Sequence, residues 1–282
     1  MHGRLKDGST PGTLGVIGNI SRDLAVHPGK GATWMLGGAA LHVALAAAHA
    51  GLPASPVAVI GTDLNPIADD PRLDEVDLSR VKLIPGASCA FRLAYDHDGG
   101  LISTEASFGV AEALTLHALD ALAIPSSCWA WHVCCRRPLA APLILARLAA
   151  TGVPFSADFH LASAGTVMPA VRTVLPQTAA VFVNAAEFAV LAQVLDPGEL
   201  PLVVVSDGHR PATAMRYGQV AARAAPPAVK VTEVTGAGDT LTGTFLAAAA
   251  RGLGDGDALR AAVSAATAAV AKPGLAIPAG GG

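Results

Sequence analysis

The 282 residues are 52% hydrophobic and only 15% charged, with a net charge of −3. Such a balance implies a well-buried globular core and excludes a disordered chain. Without a long basic run, the sequence does not suggest a surface for nucleic acid or an anionic membrane.

In chain order, residues 1–12 read as a flexible tail with no apolar signal segment, and cytoplasmic residence is expected. TLGVIGNI (13–20) follows as a buried strand that ends in a glycine turn. Residues 24–36 form a short β excursion, and Gly37-Gly38 opens an alanine-rich helix to Ala50. The uncharged stretch 37–59 is interrupted by His42 and His49 and broken at Gly51-Leu52-Pro53. It therefore reads as a soluble helix and the strand PVAVI (56–60), not a membrane span. Residues 81–107 alternate and carry the turn DHDGG, which predicts a hairpin or small antiparallel sheet that pairs with 24–36 as a lid.

From there strands and helices alternate. WAWHV (129–133) leads to a helix over 138–150, and VPFSAD (153–158) to one near 164–174. AVFV (180–183) leads to a helix that starts at Asn184. PLVVV (201–205) and TAMRY (213–217) form a hairpin return, and helices over 238–251 and 256–271 close the chain. This order predicts a mostly parallel sheet with helices on both faces. The four cysteines, Cys89, Cys128, Cys134 and Cys135, lack zinc-site spacing and read as small buried thiols in a reducing compartment.

The chemistry-bearing stretch is EVTGAGDTLTGTFLAAAARG (233–252). In open α/β sheets, ligands bind beyond the carboxyl ends of the strands, where loops lead into helices. Gly236 and Gly238 let the backbone approach a ligand, and first-turn N–H groups favour an anion. Asp239 reads either as an ordinary first-turn carboxylate or as a base positioned to accept a hydroxyl proton.

TGAGDTLTGTFLAA resembles the second signature of the PfkB/ribokinase family of carbohydrate kinases, and GGAALHVALAAAHAGLPASPVAVIG (37–61) resembles the first. NAAE (184–187) is similar to the family's N-x-x-E motif, SDG (206–208) to its phosphate turn, and NISRD (19–23) to its first strand end. The matches run in family order over residues 13–278, one ribokinase-like domain: a three-layer α/β sandwich with a mostly parallel sheet and a small β lid.

The resemblance implies ATP-dependent phosphorylation of a hydroxyl on a sugar, nucleoside or cyclitol. Asp239 would be the base and Gly236, Ala237 and Gly238 the anion hole. It implies substrate contacts from Asp23, Gly37, Gly38 and His42, where the family commonly has asparagine at the last. Nucleotide contacts fall to Asn184, Glu187, Ser206, Gly208 and Thr235, with Glu187 holding Mg²⁺ through water. Pro211 stands near an expected glycine, Leu241 replaces a frequent phenylalanine, and Glu233 replaces a frequent aspartate near the family's monovalent-cation loop, which leaves K⁺ an open cofactor. Phe91 and Tyr95 would cover the substrate, pack within the lid core, or meet a second copy in a lid-to-lid homodimer. Asp158 and His160 lie at another strand end and are further candidates to line the crevice.

Two rival classes remain at this level. A ligand-binding or regulatory protein on a kinase fold that has lost turnover would have no use for the intact GAGD. A dinucleotide-dependent oxidoreductase is prompted by GVIGNI, but its G-x-x-G spacing lacks the G-x-G-x-x-G turn.

Overall fold

The computed structural model describes residues 12–29, 31–96, 101–124, 128–232, 234–272 and 274–277. Most of the expected tail, the turn residues 97–100 and Glu233 lie outside them. Strands β1 (Thr13–Ile17), β2 (Ser21–His27) and β3 (Gly31–Gly37) precede helix α1 (Ala39–His49) and strand β4 (Ala54–Gly61). After several 3-10 turns come β5 (Val81–Ile84), β6 (Ala90–Tyr95) and β7 (Leu101–Ser107). The chain then alternates through α2 (Leu114–Ala123), β8 (Cys128–Cys135), α3 (Ala141–Ala149), β9 (Phe155–Phe159), α4 (Leu161–Val171), β10 (Ala180–Asn184) and α5 (Ala185–Val194). It ends with β11 (Val203–Asp207), β12 (Arg210–Arg216), β13 (Gln219–Ala224), α6 (Ala237–Ala250), α7 (Asp255–Val270) and the short β14 (Leu275–Ala276).

Nine strands form the large sheet in the order β13-β12-β11-β10-β9-β8-β1-β4-β5. The ladders from β11 to β5 are parallel, and the β11–β12 and β12–β13 ladders are antiparallel, so that only β12 runs against the rest. Alternate residues of its strands feed two cores, one on each face. Ile17, Val133, Val181 and Val183 pack with helices α2 to α5. Val16 and Cys134 pack with α1 and α6, and Phe182 and Val204 with α6 and α7. Burial on both faces explains why β8 is almost continuously apolar. Alanine on α1 and Gly243 on α6 bring those helices together, because a Cβ at Gly243 would overlap the Val43 carbonyl.

The second sheet has five strands, β14-β3-β2-β6-β7. It begins directly after the carboxyl end of β1, which places it beside the loop side of the large sheet. Its small core is Ala25, Met35, Leu93 and Tyr95, with Phe91 packed alongside.

Three sequence expectations need correction. Val81–Ile84 pairs parallel with β4 in the large sheet and takes no part in the small one. Asp23 does not end the first strand but lies within β2, opposite Met35. Helix α2 and strands β13 and β14 were not anticipated, because short or mixed segments carry little periodic signal. All four cysteines are buried thiols outside any disulfide, and burial pushes the Cys89 thiol up to about 12. Among the described residues no helix is long and apolar enough to cross a membrane.

Candidate active site

The carboxyl ends of β8, β9, β10 and β11 converge on the start of α6. Gly236 caps that helix in the left-handed region, at φ 77°. A side chain there would be strained, and its Cβ would also press to 3.1 Å from the His42 ring. His42 therefore sits against the glycine loop rather than standing apart in the α1 core.

Asp239 lies in the first turn of α6 and faces a polar crevice of about 290 Å³. Arg136, Asp158, His160, Asn184, Glu187, Ser206 and Thr242 share its walls. Arg136 leaves the end of β8, and one guanidinium nitrogen, Nη2, lies 2.7 Å from Asp158 Oδ2 and 3.4 Å from Asp239 Oδ1. Burial pushes the Asp239 carboxyl up and Asp158 adds to this, while Arg136 opposes it. Burial also acts on Asp158, but Arg136 and His132 outweigh it and hold that carboxyl below its ordinary value.

Behind the crevice, His132 Nδ1 shares a 2.9 Å hydrogen bond with Ser156 Oγ, and Nε2 stands 3.8 Å from Asp158 Oδ2. His132, Cys134 and Asp158 bring donor atoms within 4.8 Å of one another. Burial holds the Cys134 thiol well above its usual range, and Arg136 already occupies Asp158. Of the three, Asp158 pairs with Arg136, and His132 stands behind Asp158.

Asn184 caps α5 as expected from N-x-x-E. Its Oδ1 accepts from the Glu187 N–H at 2.9 Å, and Glu187 Oε2 accepts from the Asn184 N–H at 2.9 Å. The Glu187 side chain is nevertheless buried in the crevice wall, where burial and then Asp158 raise its carboxyl. A buried carboxylate beside another anion suits a divalent cation. Asn184 and Glu187 thus fit Mg²⁺, which would offset the charge of bound phosphates.

A second recess of about 740 Å³ opens on the other side of Gly238. Ser206 and Gly208 line its mouth, and Pro227, Val229, Val263 and Ala266 its apolar wall. Leu241, buried where the resemblance expects phenylalanine, borders both recesses.

The remaining candidates lie toward the small sheet. Asp23 is buried, its carboxylate packs on Gly37, and its Oδ1 accepts from the Phe91 N–H at 3.2 Å. Gly38 adopts φ 103° against the Asn19 carbonyl, an approach only glycine permits. Phe91 meets Phe108 edge to face with centroids 6.5 Å apart, and the Arg137 guanidinium lies 5.0 Å from the centre of the Phe108 ring. Thr235, expected to serve the nucleotide, shares a 3.2 Å hydrogen bond with the Tyr95 hydroxyl. Arg136 is a charged crevice residue that no motif marked. The signal available was a pair of arginines at the carboxyl end of a buried parallel strand, where ligands bind.

Residues 24–279 match the model of the pfkB family carbohydrate kinases. The chain belongs to that family. A cytidine kinase from Thermococcus kodakarensis is 34% identical over 101 residues, which spans only 36% of each protein. The nucleoside kinase of Burkholderia thailandensis, solved with inosine, superposes with a TM-score of 0.79 at 21% identity, over 93% of this chain and 92% of that one. A putative ribokinase II from E. coli, solved with ATP and Mg²⁺, gives 0.75 at 19% identity, over 93% and 94%. At these identities the structural likeness is one of fold.

Proposed function

We propose that the protein is an ATP- and Mg²⁺-dependent kinase that transfers the γ-phosphoryl group to a hydroxyl of a nucleoside-class substrate. One observation carries the reading: Asp239 and the glycine loop meet, at the start of α6, a charged crevice on one side and an apolar recess on the other. In this reading Asp239 accepts the hydroxyl proton, and the N–H groups of Gly236, Ala237 and Gly238 hold the migrating phosphoryl group. Asn184 and Glu187 position Mg²⁺ through water. Ser206, Gly208 and Thr235 flank the nucleotide, whose base enters the apolar recess.

Asp23, Gly37 and Gly38 would take the acceptor's hydroxyls, with His42 packed behind the loop. The Phe91–Phe108 pair beside Asp23 gives a flat partner for a base, a feature a plain sugar would not need. The cytidine kinase relative and the inosine-bound neighbour point the same way. The small sheet then acts as a lid that excludes water from the reaction. Two parts of the reading rest on sequence resemblance alone: a K⁺ requirement at the loop near Glu233, and a homodimer through the lid. KCl substitution by NaCl and light scattering check them.

Phosphoryl transfer passes through a loose transition state, so placement matters more than base strength. The test is an ADP-release assay with MgATP and a panel of cytidine, inosine, adenosine, ribose, fructose and myo-inositol. Asp239→Asn should fold and bind ATP yet lose about 10²–10⁴ in turnover. Full turnover by that variant would remove Asp239 as the base, and no ADP release across the panel would favour a binding role instead.

A further inference from the structure

The proposed roles leave Arg136 unused, although a charged side chain only 21% exposed is costly to hold in a crevice wall. Its Nη2 bridges two aspartates, and its Nε is buried with no hydrogen-bond partner among the described residues. An ion pair that served stability alone would be complete with Asp158. The second carboxylate on the same nitrogen is Asp239.

The groups that face Asp239 come from four places. Arg136, His132 and Cys134 stand on or just past β8, and Asp158 on β9. His160 follows β9, and His42 stands on α1. Arg136 is the permanent cation of this set, since guanidinium does not deprotonate in proteins. Asp158 is the neighbouring anion, and it holds the shorter contact to Arg136.

We propose that Arg136 is a positioning residue for Asp239: anchored by Asp158, it keeps that carboxylate ionised and aimed into the crevice, and thereby sets the lower pH limit of the reaction. The inference rests on Asp239 as base. The environments of the two carboxylates support it, since they push the pair apart in the manner of an acid–base site. Arg136 and His132 hold Asp158 below its ordinary value, while burial and the Asp158 charge hold Asp239 above its own. Removal of the guanidinium must make Asp239 harder to ionise. Removal of the Asp158 charge must make it easier, and frees Arg136 for Asp239 alone.

The test reads Asp239 directly and needs no substrate. Protein labelled with ¹³C at aspartate Cγ is titrated by NMR, and the Asp239 resonance is the one absent from Asp239→Asn. Its midpoint should move up in Arg136→Met, less in Arg136→Lys, and down in Asp158→Asn. In the ADP-release assay the acid limb of kcat/KM should follow, each unit of displacement being about tenfold on the acid side. A purely structural role would lower activity evenly across pH and move no midpoint. Should Arg136→Met fail to fold, Arg136→Lys and Asp158→Asn still move the midpoint in opposite directions. An Asp239 midpoint unchanged in the folded variants overturns the inference whatever the activity. Full turnover by Asp239→Asn overturns the base instead and leaves the measured midpoints to be read on their own.

Discussion

The two recesses that meet at the start of α6 share Ser206, Val234, Gly238 and Leu241, yet their remaining walls are made of opposite materials. The crevice is small and charged, and its groups fix one another: Arg136 ties Asp158 to Asp239, and the Asn184–Glu187 box ties a buried carboxylate to the start of α5. The recess is larger and mostly apolar, built from α7 and the segment from Pro226 to Val231. Charged groups in a partly dry site interact strongly and lose much when displaced. Apolar walls discriminate by shape, weakly and without regard to pH. Substitutions in the crevice should therefore change turnover and its pH dependence, while those in the recess should change nucleotide affinity alone.

Asp239→Asn is the steepest test of that division. Glu187→Gln comes next. It preserves the capping geometry but removes the charge offered to Mg²⁺, so half-maximal activity should need about 10–100-fold more Mg²⁺, with the thermal melt little changed. An unchanged Mg²⁺ dependence would reduce Glu187 to a helix cap. On the other side, Ala266→Leu narrows the recess and should raise KM for ATP by about tenfold while kcat stays near wild type. A fall in kcat with constant KM would mean that the two recesses are not separate in function.

These differences also set what could be read before the structure. Asp239, Gly236, Gly238, Asn184 and Glu187 were legible because local spacing and predicted context coincide: a loop at a strand's carboxyl end that opens a helix. The alternation of buried strands with helices made the large sheet legible for the same reason. Val81–Ile84 was not, since V-K-L-I reads alike in either sheet and only its register with β4 decides. Arg136 depends on the pleat of β8. In WHVCCRR nothing says which arginine turns toward α6, yet Arg136 reaches Asp239 while Arg137 lies over Phe108. The partner of Tyr95 stands 140 residues away, beyond any periodic signal.

That last contact gives the smallest effect and joins the small sheet to the loop before α6. Tyr95 is buried, its ring stacks on His27 at 4.5 Å and 6°, and its hydroxyl meets Thr235 Oγ1 at 3.2 Å. Tyr95→Phe keeps the ring and its stack and removes the hydroxyl's hydrogen bond to Thr235. One hydrogen bond contributes ~0.5–1.5 kcal/mol, so local opening of the small sheet should become about 2- to 13-fold more frequent. Hydrogen exchange at the amides of β6 reads that change, while amides in β8 and β10 should exchange as before. Acceptor KM should rise by a similar factor if the small sheet closes over the substrate, with the Mg²⁺ requirement and ATP affinity unmoved. If β6 exchanges at the wild-type rate in Tyr95→Phe, the small sheet is held down by its apolar core and its β2 connection, and Thr235 belongs to the anion loop alone.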